Sequence, residues 1–239
     1  MSGLPEIDVN EYGGKKEGVK QAMNRRLFMQ LLVFRVGPNA DRVGHDLVGV
    51  LRERKIPGVV YADTMDPRSL GLLTWAEDPA LFVEKVRPLF TDTLKDVEIR
   101  DDFGMIGRSY GTGHEPELEF FLLKRPIENV TNEKTKWHVW YPLRRKGEFA
   151  RLEPIDQSHI LREHASLGIA YGQSGLATDV RLACHGLDAN DNEFVIGLVG
   201  KDLHPLSHLV QAMRKTRQTS EFIEKMGPFF VGYALGSSV

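Results

Sequence analysis

The chain has 239 residues, with 31 Lys+Arg against 33 Asp+Glu and a formal net charge of -2. At 41% hydrophobic and 27% charged it can bury a full core, which excludes a disordered chain or a fibre. Near-neutral charge argues against a general nucleic-acid binder, and the single cysteine, Cys184, excludes an intramolecular disulfide and a thiolate cluster for zinc or iron–sulfur.

Residues 1–24 form a polar N-terminal arm, with Glu6, Asp8, Glu11 and several lysines but no apolar stretch of the signal-peptide kind. No window reaches the roughly 18 apolar residues of a membrane span, so cytoplasm is the expected compartment. Arg26 to Val36 is a nearly continuous apolar run, the mark of a strand covered on both faces. A helix is predicted after Pro38-Asn39, with Val43, Leu47, Val50 and Leu51 on one face. Strands follow over Val59–Ala62 and Ser69–Trp75. Asp78-Pro79 opens a helix with Phe82, Val86 and Leu89 inward, and Val97–Arg100 begins a closing strand. The order is β-α-β-β-α-β.

Residues 104–132, rich in glycine, read as an irregular connector containing one strand, Leu118–Leu123. The order then repeats. Trp137–Leu143 is an aromatic, β-branched strand, and Asp156 can cap a helix whose stripe is Ile160, His164, Leu167 and Tyr171. Val180–Ala183 and Phe194–Val199 are strands around the turn at Asp188–Asp191. Asp202 and Pro205 open a helix carrying Leu206, Leu209, Val210 and Met213, and Phe229–Ala234 closes the unit. The fold class is α+β: two ferredoxin-like units with antiparallel sheets, over 25–125 and 126–239.

Three features bear on chemistry. His164 lies on the apolar stripe of its helix, where a polar group needs a partner. It is either a core histidine bonded to main chain or an axial ligand, and with no second donor on that stripe a haem suits it better than zinc. On the strand through Trp140-Tyr141-Pro142-Leu143-Arg144-Arg145, Tyr141, Leu143 and Arg145 share one face and Arg144 the other. This is either a surface basic turn or a phenol set among cations for an anionic substrate. Asp179 and Arg181 alternate with apolar residues, so their face meets solvent or a pocket. Asp102-Phe103-Gly104, the pair His204 and His208, Gly111-Thr112-Gly113, and Ser109 and Ser174 all lack the surroundings their motifs require.

The ordered set of Trp140–Arg145, the helix Ile160–Tyr171, Gly186-Leu187-Asp188 with Glu193-Phe194-Val195, Met213-Arg214 and Phe229–Gly232 resembles the chlorite dismutase-like superfamily. Within it the chain looks most like the coproheme decarboxylases (HemQ, the peroxide-dependent haem synthases). The resemblance implies a tandem ferredoxin-like (dimeric α+β barrel) fold, often a homopentamer, with haem in the second half. Glu163-His164-Ala165-Ser166-Leu167-Gly168 matches the segment bearing the proximal ligand, so it implies His164 as the iron ligand and Tyr141 as the catalytic tyrosine. Leu143 and Arg145 stand where some members have methionine and lysine, and Arg144 and Arg145 would orient carboxylates. Asp179 stands where chlorite dismutases place a distal arginine, with Arg181 on the same strand face. Gln218 stands near the position of a glutamate that partners the proximal histidine.

The implied chemistry converts two propionates of iron-coproporphyrin III to vinyls, with hydrogen peroxide as co-substrate and a Tyr141 radical abstracting hydrogen. A chlorite dismutase-type haem oxidoreductase and a non-catalytic haem- or porphyrin-binding protein are the alternatives. No nucleic-acid partner and no membrane span are expected.

Overall fold

The computed structural model describes residues 3–239. A hairpin comes first, β1 (Glu11–Lys16) with β2 (Val19–Met23). The polar arm is thus partly structured. Its sequence hid this because Gly13, Gly14 and the lysines give no period-2 apolar signal.

The first unit is β3 (Phe28–Arg35), α1 (Ala40–Glu53), β4 (Gly58–Asp63), β5 (Ser69–Ala76), α2 and a closing strand. Helix α2 starts as a wide π turn, Phe82–Val86, and continues over Arg87–Leu89. The stretch expected to close the unit gives only the two-residue β6 (Glu98–Ile99), pinned to the end of β3. The true closing strand is β7 (Met105–Ser109), inside the segment read as connector. Gly107 and Arg108 interrupt its apolar character and concealed it.

Leu118–Leu123, expected as a strand, is helical. A π turn over Phe120–Lys124 runs into the α-helix Arg125–Thr131, together α3. In both α2 and α3 the wide turn leads into an Arg-Pro pair. Proline offers no amide to the α ladder, and the widened turn absorbs the break. The expected boundary between 125 and 126 falls within α3.

The second unit comprises β8 (Trp137–Arg145), α4 (Pro154–Gln173), β9 (Thr178–Ala183), β10 (Phe194–Gly200), α5 (Leu203–Met213), the short α6 (Arg217–Phe222) with β11 (Ile223–Met226), and β12 (Phe230–Ser237). Helix α4 begins at Pro154 after Glu153, so Asp156 sits in its first turn rather than capping it.

Both units have the strand order fourth–first–third–second: β7-β3-β5-β4 and β12-β8-β10-β9. Strand β12 pairs with β4 and β9 with β7, all antiparallel, so the two sheets close into one barrel. Alternation along each strand then separates two environments. Met29, Leu31, Trp75, Trp140, Val180, Leu182 and Phe230 fill the interior. Gly197 is required there, because a Cβ would stand 2.6 Å from the Trp140 ring. The outer face of the first unit is sealed by α1, which packs Leu47 and Leu51 on Phe34, Val60, Leu70 and Leu72. The outer face of the second unit carries Val139, Tyr141, Leu143 and Leu198, partly covered by Leu206 and Leu209 of α5.

Candidate functional site

Helices α1 and α4 occupy equivalent places in the two units, yet they pack differently. Helix α1 buries Ala40, Gly44, Leu47, Val48 and Leu51, whereas α4 buries only Ile160 along its whole length. Ile155 and Ile169 of α4 remain 62% and 59% exposed. The same topology thus gives a sealed layer in one half and an open one in the other.

His164 projects from α4 and is half-buried. Its Nδ1 lies 3.5 Å from Thr216 Oγ1, whose own hydroxyl donates to the Met213 carbonyl at 2.7 Å. The Thr216 proton is therefore committed, and the contact works only if His164 Nδ1 carries the hydrogen. Nε2 is left as a free lone pair, with no partner among the described residues. The adjacent Glu163 accepts from the Arg217 amide at 3.0 Å at the start of α6. Burial, then the nearby Arg181, holds the imidazole pKa below its ordinary value, while Asp179 and Glu163 act the other way. Thr216 thus takes the place expected of Gln218, whose half-buried side chain leaves its Oε1 without a partner.

The sheet supplies the opposite wall. Register aligns Tyr141 of β8 with Ile196 of β10 and then Arg181 of β9, and aligns Val139 with Leu198 and Asp179. Tyr141 is buried and stacks on Phe229, with ring centroids 4.6 Å apart at 28°. Burial foremost, with Asp179 adding, raises its phenol pKa far above the usual value, against a smaller opposing effect of Arg214. Tyr141 is a neutral phenol at any physiological pH. Its hydroxyl has no hydrogen-bond partner among the described residues.

Asp179 is gripped from two sides, by Arg125 Nη2 at 2.5 Å and Arg181 Nε at 3.3 Å. Its carboxyl pKa ends below normal: burial raises it, but the two guanidinium groups outweigh burial. The Asp179 and Arg181 side chains are 33% and 35% exposed, yet desolvation is the largest single influence on each. Both groups are partly accessible in the gap between the sheet and the loosely packed α4, here called the cleft.

Leu143 extends the apolar floor, and Arg145 lies on the same face as Tyr141. The Arg145 guanidinium sits over the Phe149 and Phe194 rings, 4.6 and 4.7 Å from their centroids, and bonds Glu193 at 3.0 Å. Arg144 is not brought to this site. It points to the other face and pairs with Asp191 at 3.6 Å and Glu224 at 3.4 Å. Arg125, Glu115 and Tyr110, which also border the cleft's polar end, escaped the sequence reading because they reach it from the connector.

The cleft thus offers one free imidazole nitrogen, an apolar floor, a neutral phenol and a rim of arginines paired with carboxylates. Among the described residues no group of three or more His, Cys, Asp or Glu could hold a bare metal ion. A donor set of one nitrogen fits a metal that brings its own equatorial ligands. A depression of about 510 Å³, among Arg35, Asp63, Asp66, Glu98 and Arg100, lies elsewhere. Its side chains largely pair with one another, as in Arg35–Asp66 at 2.7 Å. No helix among the described residues is long and apolar enough to cross a membrane.

The sequence model of the chlorite dismutase family matches residues 122–235, the segment that builds this cleft. No curated protein matches the chain in sequence. Similar solved structures include a protein assigned as a chlorite dismutase, at 14% identity, TM-score 0.71, over 87% of this chain and 95% of that one. A haem-binding protein from Thermus thermophilus is 18% identical with TM-score 0.69, over 88% and 91% of the two chains. The chlorite dismutase of Candidatus Nitrospira defluvii, in complex with imidazole, is 13% identical with TM-score 0.68, over 89% and 92%. Residues 122–235 therefore carry the sequence pattern of the chlorite dismutase family, and the fold of the chain is similar to that of the solved chlorite dismutases.

Proposed function

We propose that the cleft beneath α4 binds iron-coproporphyrin III through His164 Nε2, and that the protein decarboxylates it with hydrogen peroxide. The reading rests on the open layer under α4, on a His164 Nε2 without a partner among the described residues, and on Asp179 acting on both His164 and Tyr141. The matching of residues 122–235 to a family with haem-binding relatives in fold supports a haem-type ligand.

Each step balances as one propionate plus one peroxide giving one vinyl group, carbon dioxide and two waters. The bound ferric macrocycle, with peroxide, supplies the oxidising power. The chain's residues do the rest. With its proton on Nδ1 toward Thr216, His164 would keep the Nε2 lone pair for the iron. Val139, Leu143, Ile196 and Leu198 exclude water beside Tyr141. Tyr141, held as a phenol, loses its proton together with its electron, and a substrate carboxylate is the available acceptor. The resulting phenoxyl would take hydrogen from the propionate β-carbon, and the carbon radical would give up its remaining electron to the same oxidising source as the bond from the α-carbon to the carboxylate breaks, leaving the vinyl group and carbon dioxide. Arg145, on the same face as Tyr141, would hold a propionate carboxylate with the donors that its Glu193 contact leaves free.

The test mixes protein, ferric coproporphyrin III and peroxide, and follows the porphyrin mass. Two successive losses, each of carbon dioxide and two hydrogens, are expected. Tyr141→Phe should bind coproheme normally and show neither loss. Oxygen release from added chlorite, with no mass change in coproheme, would replace this reading with a chlorite dismutase-type activity. Binding without either reaction would leave a haem carrier.

A further inference from the structure

The polar end of the cleft is an ion cluster whose charges cancel. Asp179 lies between Arg125 from the connector helix and Arg181 from its own strand, at 2.5 and 3.3 Å. Glu115 is buried nearby and acts on Arg181. Its carboxylate accepts from the amides of Thr112, Gly113 and His114 and from the Thr112 hydroxyl, so it is held in place. Two guanidinium groups thus face two carboxylates. Of the other charges near this floor, Arg145 is neutralised by Glu193 at 3.0 Å, and Arg214 acts at Tyr141. Asn129 also donates to the Asp179 carbonyl at 2.8 Å, which fixes the strand position that presents the carboxylate.

An unpaired arginine opposite His164 would draw small anions into the cleft. Here Arg125 Nη2 and Arg181 Nε each lie on one oxygen of the Asp179 carboxylate, so an anion approaching either guanidinium meets a negative charge beside it. We propose that Asp179, clamped by Arg125 and Arg181, is an anion gate that makes the cleft selective for a neutral oxidant over an anionic one. The inference rests on the haem reading above and names the class of its co-substrate. Hydrogen peroxide is neutral at physiological pH and passes the gate, whereas an oxyanion such as chlorite meets a carboxylate. Arg125 is a positioning residue: it acts through Asp179.

The test uses the full chain loaded with ferric haem and two probes of the iron, fluoride as the anion and imidazole as the neutral ligand, each titrated by absorption. In Asp179→Asn one negative charge is lost and two guanidinium groups are freed. Fluoride should bind about tenfold tighter, the size of one charge acting across about 12 Å at an effective dielectric of about 20. Imidazole affinity should change less than about twofold, because a neutral ligand feels little of that field. Asp179→Glu should stay near the parent. Arg125→Gln removes a cation and keeps the carboxylate, so fluoride should weaken by about threefold or more. A fluoride-to-imidazole ratio unchanged in both Asp179→Asn and Arg125→Gln, or moving in the same direction in both, would overturn the gate alone. Failure of the parent chain to bind ferric haem would overturn the gate and the haem reading together.

Discussion

Two imidazoles in this chain are kept neutral, one to hold the fold and one to face the cleft. His138 lies inside the barrel, fully buried, with Nε2 3.0 Å from the Thr135 carbonyl and Nδ1 2.9 Å from the Tyr61 hydroxyl. A carbonyl only accepts, so Nε2 carries the hydrogen and Nδ1 accepts from Tyr61. Burial pushes the His138 pKa down from 6.5 to about 4, with the Thr135 bond opposing. The unfolded chain therefore binds a proton between pH 6.5 and about 4 that the folded chain refuses. Stability is full above pH 6.5 and falls as pH drops through that window, by roughly 3 kcal/mol if His138 acts alone. His164 adds in the same direction. Asp66 and Asp92, lowered to about 2 by Arg35 and Arg54, lose their contribution only below the window, between pH 3.8 and 2. Denaturant midpoints across pH 4 to 7 should show the slope, and His138→Gln should flatten it. An equal slope in that variant would assign the loss to other groups. Thr216→Val is the second test at this scale. Losing one hydrogen bond, worth about 0.5–1.5 kcal/mol, should raise the ferric haem dissociation constant roughly two- to tenfold. An unchanged constant would mean that Thr216 does not orient the ligand.

At the scale of elements, α4 is the outlier. Its counterpart α1 is amphipathic and sealed, and α4 buries a single residue. Helices with few buried contacts open locally at low cost. Amide exchange should therefore be fast in α4 and slow in α1 in the free protein, and α4 should gain protection when ferric haem is added. Equal protection of the two helices in the free protein would contradict the open layer. Apart from β7, α6 and β11, the strands and helices of both units were legible because their periodicities are strong: β3 and β8 as apolar runs, α1 and α5 as stripes. Helix α3 was not, since Leu118–Leu123 is a short all-apolar run that periodicity cannot divide between strand and helix. The placing of Tyr141, Leu143 and Arg145 on one face, with Arg144 on the other, followed from strand alternation alone. The Arg125–Asp179 pair did not, because 54 residues separate its members and no local pattern links them. The resemblance brought Thr216, Arg217 and Gln218 near His164 and favoured Gln218 as its partner, but Thr216, just before α6, is what reaches the ring.

For the whole molecule, barrel closure decides whether the cleft exists. The seam between the units on the β9 side is short, with Arg108 opposite Ala183 and Ser109 opposite Leu182. Gly107 permits the approach, because a Cβ there would stand 2.7 Å from Leu182 Cβ and 3.1 Å from the Ala183 carbonyl. Gly107→Ala should cost about 1–3 kcal/mol by forcing β7 and β9 apart. It should also weaken haem binding, since β9 carries Asp179 and Arg181 at the cleft. Thermal unfolding and a haem titration check both effects, and a loss of stability with unaltered affinity would separate the seam from the site.

The most direct measurement is an absorption titration of the full chain with ferric coproheme, run beside His164→Ala. Binding through His164 predicts a Soret shift that saturates at one equivalent in the parent and is lost or greatly weakened in the variant. Identical curves for the two proteins, or no saturable shift in either, would contradict the account.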